Sequence, residues 1–240
     1  MPAPRFFCPT PLQARQQIAL PATTAHHALR ALRLVDGDVV TLFNGEGGEY
    51  PATLKISGRE VLATLGDFEN IDSELKGKIR LVQGIASGDK MDWVVEKAVE
   101  LGVSDLYPIA AERSVLKLIG TRLEKRLQHW RAIVTAASEQ SGRNRLLQVH
   151  EPASLSRCLG TLTGLTLVCH PEGKQTFATA LARADRELNL VVGPEGGWSP
   201  GELDHARGHG LEGIQFGPRI LRTETAGIAL VAAATAVLGW

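Results

Sequence analysis

The sequence predicts an α/β protein with a small N-terminal β domain and a larger C-terminal domain built on a mostly parallel sheet. The chain has 240 residues, more than the roughly 100 to 200 of a typical single domain. Between residues 39 and 65, short strand-like runs alternate with glycine-rich turns, which is typical of consecutive hairpins. From residue 79 onward, apolar strands alternate with helical periodicity, as in a parallel sheet with crossover helices. We therefore expect domains at 1–72 and 73–240, with the polar stretch 66–78 as a linker.

The N-terminal domain is predicted to contain one helix followed by three strands. Residues 20–34 have the spacing of a short helix, which ends at the turn formed by Asp36, Gly37 and Asp38. The strands span 39–43, 49–56 and 60–65, and the NGEGG and SGR turns separate them. Three short strands joined in this way predict a small β-barrel or roll.

The C-terminal domain is predicted to contain strands alternating with helices, and the stretch LNLVVGPEGGWSPGELDHA (188–206) gives the clearest local signal. Its apolar strand must end at the glycines, because they cannot continue it. A helix then begins with Ser199 as N-cap, Pro200 at the first helical position and Glu202 at the third. The other predicted strands are 79–86, 106–110, 165–169 and 213–216, and the other helices are 91–101, 121–141 and 223–238.

Three of the predicted strands end in similar loops. VCHPEG (168–173) resembles VGPEGG (192–197), and Phe216-Gly217-Pro218 ends a third apolar strand. Loops that follow parallel strands meet at the carboxyl edge of the sheet, where open α/β sheets bind ligands. The three loops therefore predict a pocket lined largely by backbone, although they could also be no more than tight turns.

The absence of several motifs narrows the function. No G-x-G-x-x-G follows a predicted strand and no G-x-x-x-x-G-K-[ST] is present, which disfavours dinucleotide binding and P-loop chemistry. The seven histidines lack H-E-x-x-H spacing and the three cysteines lack C-x-x-C spacing, so we expect no metal. No apolar run approaches the roughly 18 residues of a membrane span, and no signal pattern begins the chain. We expect a cytoplasmic protein.

Positive charge is concentrated in the middle of a chain whose formal net charge is zero. Residues 113–145 contain eight Lys or Arg but only two Asp or Glu, which favours either an RNA-binding surface or a solvated helix face. Arg219 and Arg222 stand just before a helix that begins near Thr223 and Glu224. Two arginines at this position can hold an anion, or they could pair with Glu224 or Glu195.

Five motifs then carry a family resemblance. In chain order they are SGDKMDWVVEKAVELGV (87–103), ERSV (112–115), SEQSGR (138–143), VVGPEGGWSPGEL (191–203) and FGPRILRTETA (216–226). Together they resemble the small-subunit rRNA uracil-N3 methyltransferases, the RsmE family of the SPOUT class. The N-terminal part is similar more weakly, through Arg5-Phe6-Phe7, HHALRALRLVDGD and NGEGGE.

The resemblance implies a PUA-like RNA-binding β-barrel at 1–72 and a SPOUT methyltransferase domain with a trefoil knot at 73–240. It also implies S-adenosylmethionine as methyl donor, 16S rRNA within the small ribosomal subunit as partner, and a homodimer. The nearly all-apolar helix 223–238 would then form the dimer interface. Implied cofactor-binding residues are His170, Pro171, Gly173, Gly193, Pro194, Glu195, Gly196, Gly197, Phe216, Gly217, Ile220, Leu221, Arg222, Thr225 and Ala226. Implied RNA-binding residues are Arg5, Arg113, Lys117, Arg143 and Arg145.

The chemistry assigned to this site is methyl transfer to uracil N3, which must approach the methyl group in line and lose its proton. Arg222 or Arg219 is expected to stabilise the negative charge that spreads onto the uracil oxygens. Glu195 or Glu224 could accept the proton, but a carboxylate beside arginines has a lowered pKa and is a poor base. The catalytic candidates are therefore Arg222, Arg219 and Glu224, with charge stabilisation as the main effect.

Two alternatives stay open at the level of sequence. The protein could be a SPOUT methyltransferase that acts on another RNA, either a tRNA or a ribose 2′-hydroxyl. It could also be a non-catalytic RNA-binding protein, although a disused pocket need not keep glycine loops beside FGPRILRTETA.

Overall fold

The computed structural model describes residues 3–58, 60–114 and 119–240. The chain forms two compact units. Unit 1 comprises Met1–Glu74 and Ser138–Leu146, and unit 2 comprises Leu75–Ala137 and Leu147–Trp240. A segment far downstream in sequence thus belongs to the N-terminal unit. The division into an RNA-binding domain at 1–72 and a methyltransferase domain at 73–240 stays a prediction.

Unit 1 contains a five-stranded sheet made of β1 (Arg5–Phe7), β2 (Gln17–Ala19), β3 (Val39–Phe43), β4 (Tyr50–Ser57) and β5 (Glu60–Leu65). The strand order is β1-β3-β4-β5-β2, and all neighbours are antiparallel except β1 and β3. The three predicted hairpin strands are confirmed. The sequence did not predict β1 and β2, because an alternating pattern cannot be recognised in three residues.

The predicted N-terminal helix is present but shorter than 20–34. It consists of α1 (Ala22–His26) and a π-helical turn (His27–Ala31). The turn after it is held by two aspartates: Asp38 accepts a hydrogen bond from the Val35 N–H at 2.7 Å, and Asp36 accepts one from the Ile56 N–H at 2.7 Å. These side chains satisfy backbone donors, which explains why aspartate suits the turn.

Unit 2 is built on a seven-stranded sheet in which every neighbouring pair is parallel. Its strands are β6 (Lys78–Gly84), β7 (Asp105–Ile109), β8 (Gln148–Val149), β9 (Leu165–Cys169), β10 (Gln175–Thr176), β11 (Glu187–Val192) and β12 (Gly213–Gln215). The predicted α/β class with a parallel sheet is confirmed. The trefoil knot stays a prediction.

The described helices after β6 follow the sequence prediction at four places, and two short helices are additional; the last four residues of α3 belong to unit 1. The predicted ones are α2 (Lys90–Glu100), α3 (Gly120–Ser141), α6 (Pro200–Gly208) and α7 (Thr223–Leu238). The additional ones are α4 (Leu155–Leu159) and α5 (Phe177–Leu181). None of the described helices is long and apolar enough to cross a membrane.

The packing of α2 against α3 depends on a carboxylate as well as on apolar contacts. Asp92 accepts hydrogen bonds from the indole Nε1 of the fully buried Trp130 at 3.0 Å and from Arg126 at 3.3 Å. Its second oxygen lies 2.7 Å from Nε2 of His129. Asp92 therefore fixes how the helical stripe around Trp130 meets α2.

The strand order β10-β12-β9-β11-β6-β7-β8 explains where a ligand can bind. Successive strands β6, β7 and β8 extend towards one edge, whereas β9 and β12 lie on the other side of β11. The order therefore reverses beside β11. In parallel sheets such a reversal opens a crevice at the carboxyl ends of the strands, and ligands bind there.

Candidate functional site

The carboxyl edge of the unit 2 sheet holds a pocket of about 660 Å³. The loops after β9, β11 and β12 and the first turn of α7 form its walls. This volume lies within the roughly 300 to 1,000 Å³ of small-molecule sites. The predicted cofactor residues that line it are His170, Pro171, Gly193, Pro194, Glu195, Gly197, Phe216, Gly217, Ile220, Leu221, Arg222 and Ala226.

Three predicted cofactor residues lie beside the pocket and not in its lining. Gly173 packs against β12, where an added Cβ would lie 2.4 Å from the carbonyl carbon of Ile214. Gly196 faces Arg113, and its added Cβ would lie 3.0 Å from the Cβ of that residue. Thr225 is exposed in the first turn of α7. At the two glycines the missing side chain allows a close packing contact, which is a structural role.

Sequence reasoning did not assign several residues that line the pocket. Trp198 is 4% exposed, and its indole Nε1 has no hydrogen-bond partner among the described residues. It lies inside the VVGPEGGWSPGEL motif, so the motif itself was the available signal. Gln215 is a second lining residue that was not predicted, and Arg113, predicted for RNA, also lines the pocket. Cys169, Val192 and Pro218 line it within the three predicted loops, and Thr223 lines it within the FGPRILRTETA motif.

A buried polar network anchors the loop after β11. The Thr223 hydroxyl accepts a hydrogen bond from Nε2 of Gln83 at 2.8 Å and donates to the carbonyl oxygen of Gly193 at 2.5 Å. Gln83 is fully buried in β6, and its Nε2 also donates to the Gly84 carbonyl at 3.1 Å. The first turn of α7 and the loop are thereby tied to β6.

The far end of the same loop is fixed by the start of α6. Ser199 accepts a hydrogen bond from the Glu202 N–H, and the Glu202 carboxylate accepts one from the Ser199 N–H at 2.8 Å. This confirms the predicted capping box, with Pro200 in the first helical turn. A second oxygen of Glu202 accepts from the Glu112 N–H at 3.1 Å, so the cap also holds the segment after β7.

Glu195 accepts three hydrogen bonds on one of its oxygens. The donors are the Ser87 N–H at 3.0 Å, the Ser87 hydroxyl at 2.8 Å and Nζ of Lys90 at 3.1 Å. Burial by itself would raise the pKa of the Glu195 carboxyl, but these donors and its own backbone N–H lower the pKa to about 2. Such an acidic group is a poor proton acceptor. Ser87 and Lys90 were not identified as site residues, although both belong to the SGDK motif.

Glu224 presents a different environment in the same pocket. Its Oε2 atom is buried without a hydrogen-bond partner among the described residues, and Nζ of Lys90 lies 4.0 Å from it. A buried carboxylate oxygen without a donor is costly, so the site is complementary to a ligand that supplies a donor or a cation.

The two candidate arginines lie at the mouth of the pocket. Arg219 and Arg222 are both exposed and both line it. Within the described residues neither guanidinium pairs with Glu195 or Glu224, the alternative that the sequence left open. Unpaired guanidinium groups are available to hold a carboxylate, a phosphate or a developing anion.

The pocket contains no activated cysteine. Burial raises the pKa of the Cys169 thiol to about 11, so the thiol stays neutral and is a weak nucleophile. Across the described ranges, no group of three His, Cys, Asp or Glu residues is placed to hold a metal ion. The chemical resources of the pocket are therefore backbone groups, three arginines, two carboxylates and the imidazole of His170.

Two of the predicted RNA-binding arginines form ion pairs within unit 1, where Arg5 is half-buried and Arg143 is buried. Arg5 donates to Glu49 at 2.6 Å and to the side-chain oxygen of Asn144 at 2.5 Å. Arg143 is 4% exposed and bonds to both oxygens of Glu74, through Nε at 3.0 Å and a terminal nitrogen at 2.5 Å. Both guanidinium groups therefore stabilise unit 1, joining the N-terminal segment to Ser138–Leu146.

The other predicted RNA-binding residues have different surroundings. Arg145 is exposed, and its guanidinium lies beside Gly47, where an added Cβ would be 2.7 Å away. Arg113 is exposed at the cofactor pocket, with its guanidinium 3.4 Å from the Gly196 carbonyl oxygen. Lys117 lies outside the described residues. Contact of any of the five with RNA stays a prediction.

Two family models match this chain. The RNA methyltransferase domain matches residues 73–235, and the RNA methyltransferase PUA domain matches residues 20–65. Among curated proteins, the chain is similar to ribosomal RNA small subunit methyltransferase E of Bacillus subtilis, with 30% identity over 84% of this chain and 82% of the relative. The protein of the same name from Buchnera aphidicola subsp. Schizaphis graminum is 30% identical, over 96% of this chain and 94% of the relative.

The similarity to solved structures extends over nearly the whole length of the chain. A Neisseria gonorrhoeae ribosomal RNA small subunit methyltransferase E bound to S-adenosylmethionine is 33% identical, with a TM-score of 0.90 over 98% of both chains. A Legionella pneumophila protein described as a methyltransferase, also solved with S-adenosylmethionine, is 30% identical, with a TM-score of 0.93 over 98% of both chains.

Proposed function

Because the chain belongs to the ribosomal RNA small subunit methyltransferase E family, we propose that it transfers a methyl group from S-adenosylmethionine to N3 of a uridine in 16S rRNA. It is an S-adenosylmethionine-dependent methyltransferase of small-subunit rRNA. Methylation at N3 is the more specific part of the proposal, and two arginines that line the pocket and are unpaired within the described residues, Arg219 and Arg222, support it. Action on ribosomal RNA would place the protein in the cytoplasm.

The residues of the pocket fit S-adenosylmethionine. Its volume of about 660 Å³ suits a nucleoside joined to an amino acid, and the glycine loops offer backbone groups to a nucleoside. The Trp198 Nε1 and Glu224 Oε2 atoms are buried polar atoms without partners, one a donor and the other an acceptor. Glu224 would favour the cationic parts of the cofactor.

When bound, S-adenosylmethionine supplies an electrophilic methyl group on a positively charged sulfur. The protein must then position the uracil, stabilise its anion and accept the N3 proton. Arg222 and Arg219 have no carboxylate partner among the described residues, so their charge is free to stabilise the uracil oxygens. Three donors to one oxygen lower the pKa of Glu195, so Glu224 is the pocket carboxylate that would receive the proton from N3.

The experiment that tests the proposal is nucleoside mass spectrometry of 16S rRNA from a strain that lacks the gene. We expect 3-methyluridine to be lost and to return when the gene is restored. Loss of a ribose 2′-O-methyl group, or of a modification in tRNA, would instead identify a different substrate for the same pocket. An unchanged nucleoside profile would contradict the proposal.

We also propose that the RNA is held by unit 1 and by the exposed arginines. The match of residues 20–65 to an RNA methyltransferase PUA domain supports the first part. Arg145 and Arg113 are the exposed candidates, and their positive charge suits phosphate contacts. Arg5 and Arg143 would support such a surface by holding unit 1 together.

The dimer is proposed to form through α7 of unit 2. One side of this helix packs on β6, β11 and α2, whereas Ala232, Ala236 and Val237 stay exposed, Val237 at 67%. Small residues let helices approach closely, so a second α7 can cover this apolar side. Size-exclusion chromatography with light scattering should give twice the 25.8 kDa of one chain. A monomer at micromolar protein would contradict the dimer.

A further inference from the structure

Two residues outside the three predicted loops reach the wall of the pocket. Ser87 lies in the loop after β6 and Lys90 is the first residue of α2, on the carboxyl side of the sheet. Both bond to the same oxygen of Glu195, so a single carboxylate atom accepts three donors from this segment. The carboxylate belongs to the loop after β11, which is one of the cofactor walls.

Lys90 also faces a second wall of the pocket. Its Nζ atom lies 3.1 Å from Glu195 and 4.0 Å from Glu224, which is in the first turn of α7. The lysine side chain is 35% exposed, and the two carboxylates are 26% and 18% exposed. One partly buried cation thus lies between two pocket carboxylates, from a strand loop and from a helix start.

We propose that Lys90, assisted by Ser87, is a positioning residue for S-adenosylmethionine. Its ammonium group holds the loop after β11 and the start of α7 at the spacing that the cofactor needs. This inference rests on the proposed function, because it assigns the pocket to that cofactor. This role gives the SGDK segment and the VVGPEGG loop a shared function, since the first supplies the hydrogen-bond donors and the second supplies the Glu195 acceptor.

The cation also separates the roles of the two carboxylates. Donors on Glu195 make it a fixed structural anchor, whereas Glu224 keeps one oxygen without a hydrogen bond. Without Lys90, two like charges would face each other across the pocket with no cation between them. Repulsion would then move the walls apart or raise the pKa of one carboxyl.

The test compares Lys90→Met, Lys90→Arg and Lys97→Met by calorimetry with S-adenosylmethionine. Lys97 is the matched control, because it lies on the same helix but pairs with Glu96 and Glu100, away from the pocket. We expect K90M to weaken binding about tenfold, the loss expected for one charge-assisted hydrogen bond. K90R should stay within about threefold of wild type, and K97M should be unchanged within error.

A pH series adds a measurement that a merely structural residue would not change. Because the Glu195 pKa is about 2, this carboxyl stays ionised between pH 8 and 5, and its protonation should not lower the affinity of wild type in that range. In K90M the Glu195 carboxyl loses one of the donors that lower its pKa, so its protonation, and the loss of affinity that follows, should begin at a higher pH than in wild type. His170, Arg113, Arg219, Arg222 and Glu224 also line the pocket. These groups are present in every variant, so their titration cancels when the pH profile of K90M is compared with that of wild type.

The outcomes separate this inference from the proposed function. If wild type does not bind S-adenosylmethionine, the proposed function fails. If wild type binds and K90M binds equally well with the same pH profile, the positioning role is wrong. Should K90M fail to fold by circular dichroism, Ser87→Ala carries the test, because it removes one donor and leaves the charge. We expect it to weaken binding about threefold, and unchanged affinity would overturn the inference.

Discussion

Replacing Arg222 with alanine should lower the rate of methyl transfer about 100- to 1,000-fold, the loss typical when one group that stabilises an oxyanion is removed. The guanidinium is exposed at the pocket mouth and unpaired within the described residues, so its charge is available to the substrate. S-adenosylmethionine affinity should fall less than tenfold, because the glycine loops that supply backbone contacts are untouched. Single-turnover kinetics with saturating cofactor, alongside calorimetry, measures the two effects separately.

Two further variants sharpen this prediction. Arg207→Ala is the matched control, because Arg207 is a surface arginine on α6 that pairs only with Asp204 in the described structure. Its rate should equal that of wild type. Arg222→Lys keeps the charge but loses the planar fork of donors, so an intermediate rate is expected. Equal rates for wild type and R222A would show that the charge on the uracil is stabilised elsewhere.

Local signals were sufficient to predict much of unit 2. The apolar run of β11 and the capping box of Ser199 and Glu202 fixed both ends of the central loop, and the structure has both. The reason is that these signals depend only on neighbouring residues. A capping box satisfies two backbone donors within one turn, so no distant partner is needed to form it.

Features that depend on distant partners were not predicted from local patterns. Strands β8 and β10 have two residues each, which is too few to show an alternation of apolar and polar residues. Ser138–Leu146 belongs to unit 1 because Asn144 and Arg143 pair with Glu49 and Glu74, and no local pattern records such pairs. The strand order is likewise a matter of tertiary pairing. These features need either coordinates or a family resemblance.

The candidate site shows the same division. Three glycine and proline loops were visible in the sequence, because loops of this kind follow parallel strands at one edge. The ligand that binds between these loops could not be predicted from them, since a pocket lined by backbone has few characteristic side chains. The different environments of Glu195 and Glu224 depend on Ser87 and Lys90, which are far away in sequence. Residue type alone therefore could not tell the anchoring carboxylate from the available one.

Gly84 gives the strongest test of how the scaffold shapes the pocket. It ends β6 directly beneath the loop after β11, and an added Cβ would lie 2.3 Å from the backbone nitrogen of Pro194 and 2.8 Å from the carbonyl carbon of Gly193. Both obstacles are backbone atoms, so no side-chain rotation can relieve the clash. The substitution Gly84→Ala should therefore destabilise the protein by about 2 to 3 kcal/mol, as overpacking does, and displace the loop.

The displaced loop should weaken S-adenosylmethionine binding more than tenfold, because Gly193 and Pro194 form a wall of the pocket. Urea denaturation measures the stability change, and calorimetry at low temperature measures affinity while the protein is still folded. Gly208→Ala is the control, because this helical glycine has no atom within 4 Å of an added Cβ, and alanine there should be neutral or stabilising by up to about 1 kcal/mol. If G84A matched wild type in both measurements, β6 and the loop could separate without cost. The close approach of the two backbones would then not be what sets the shape of the pocket.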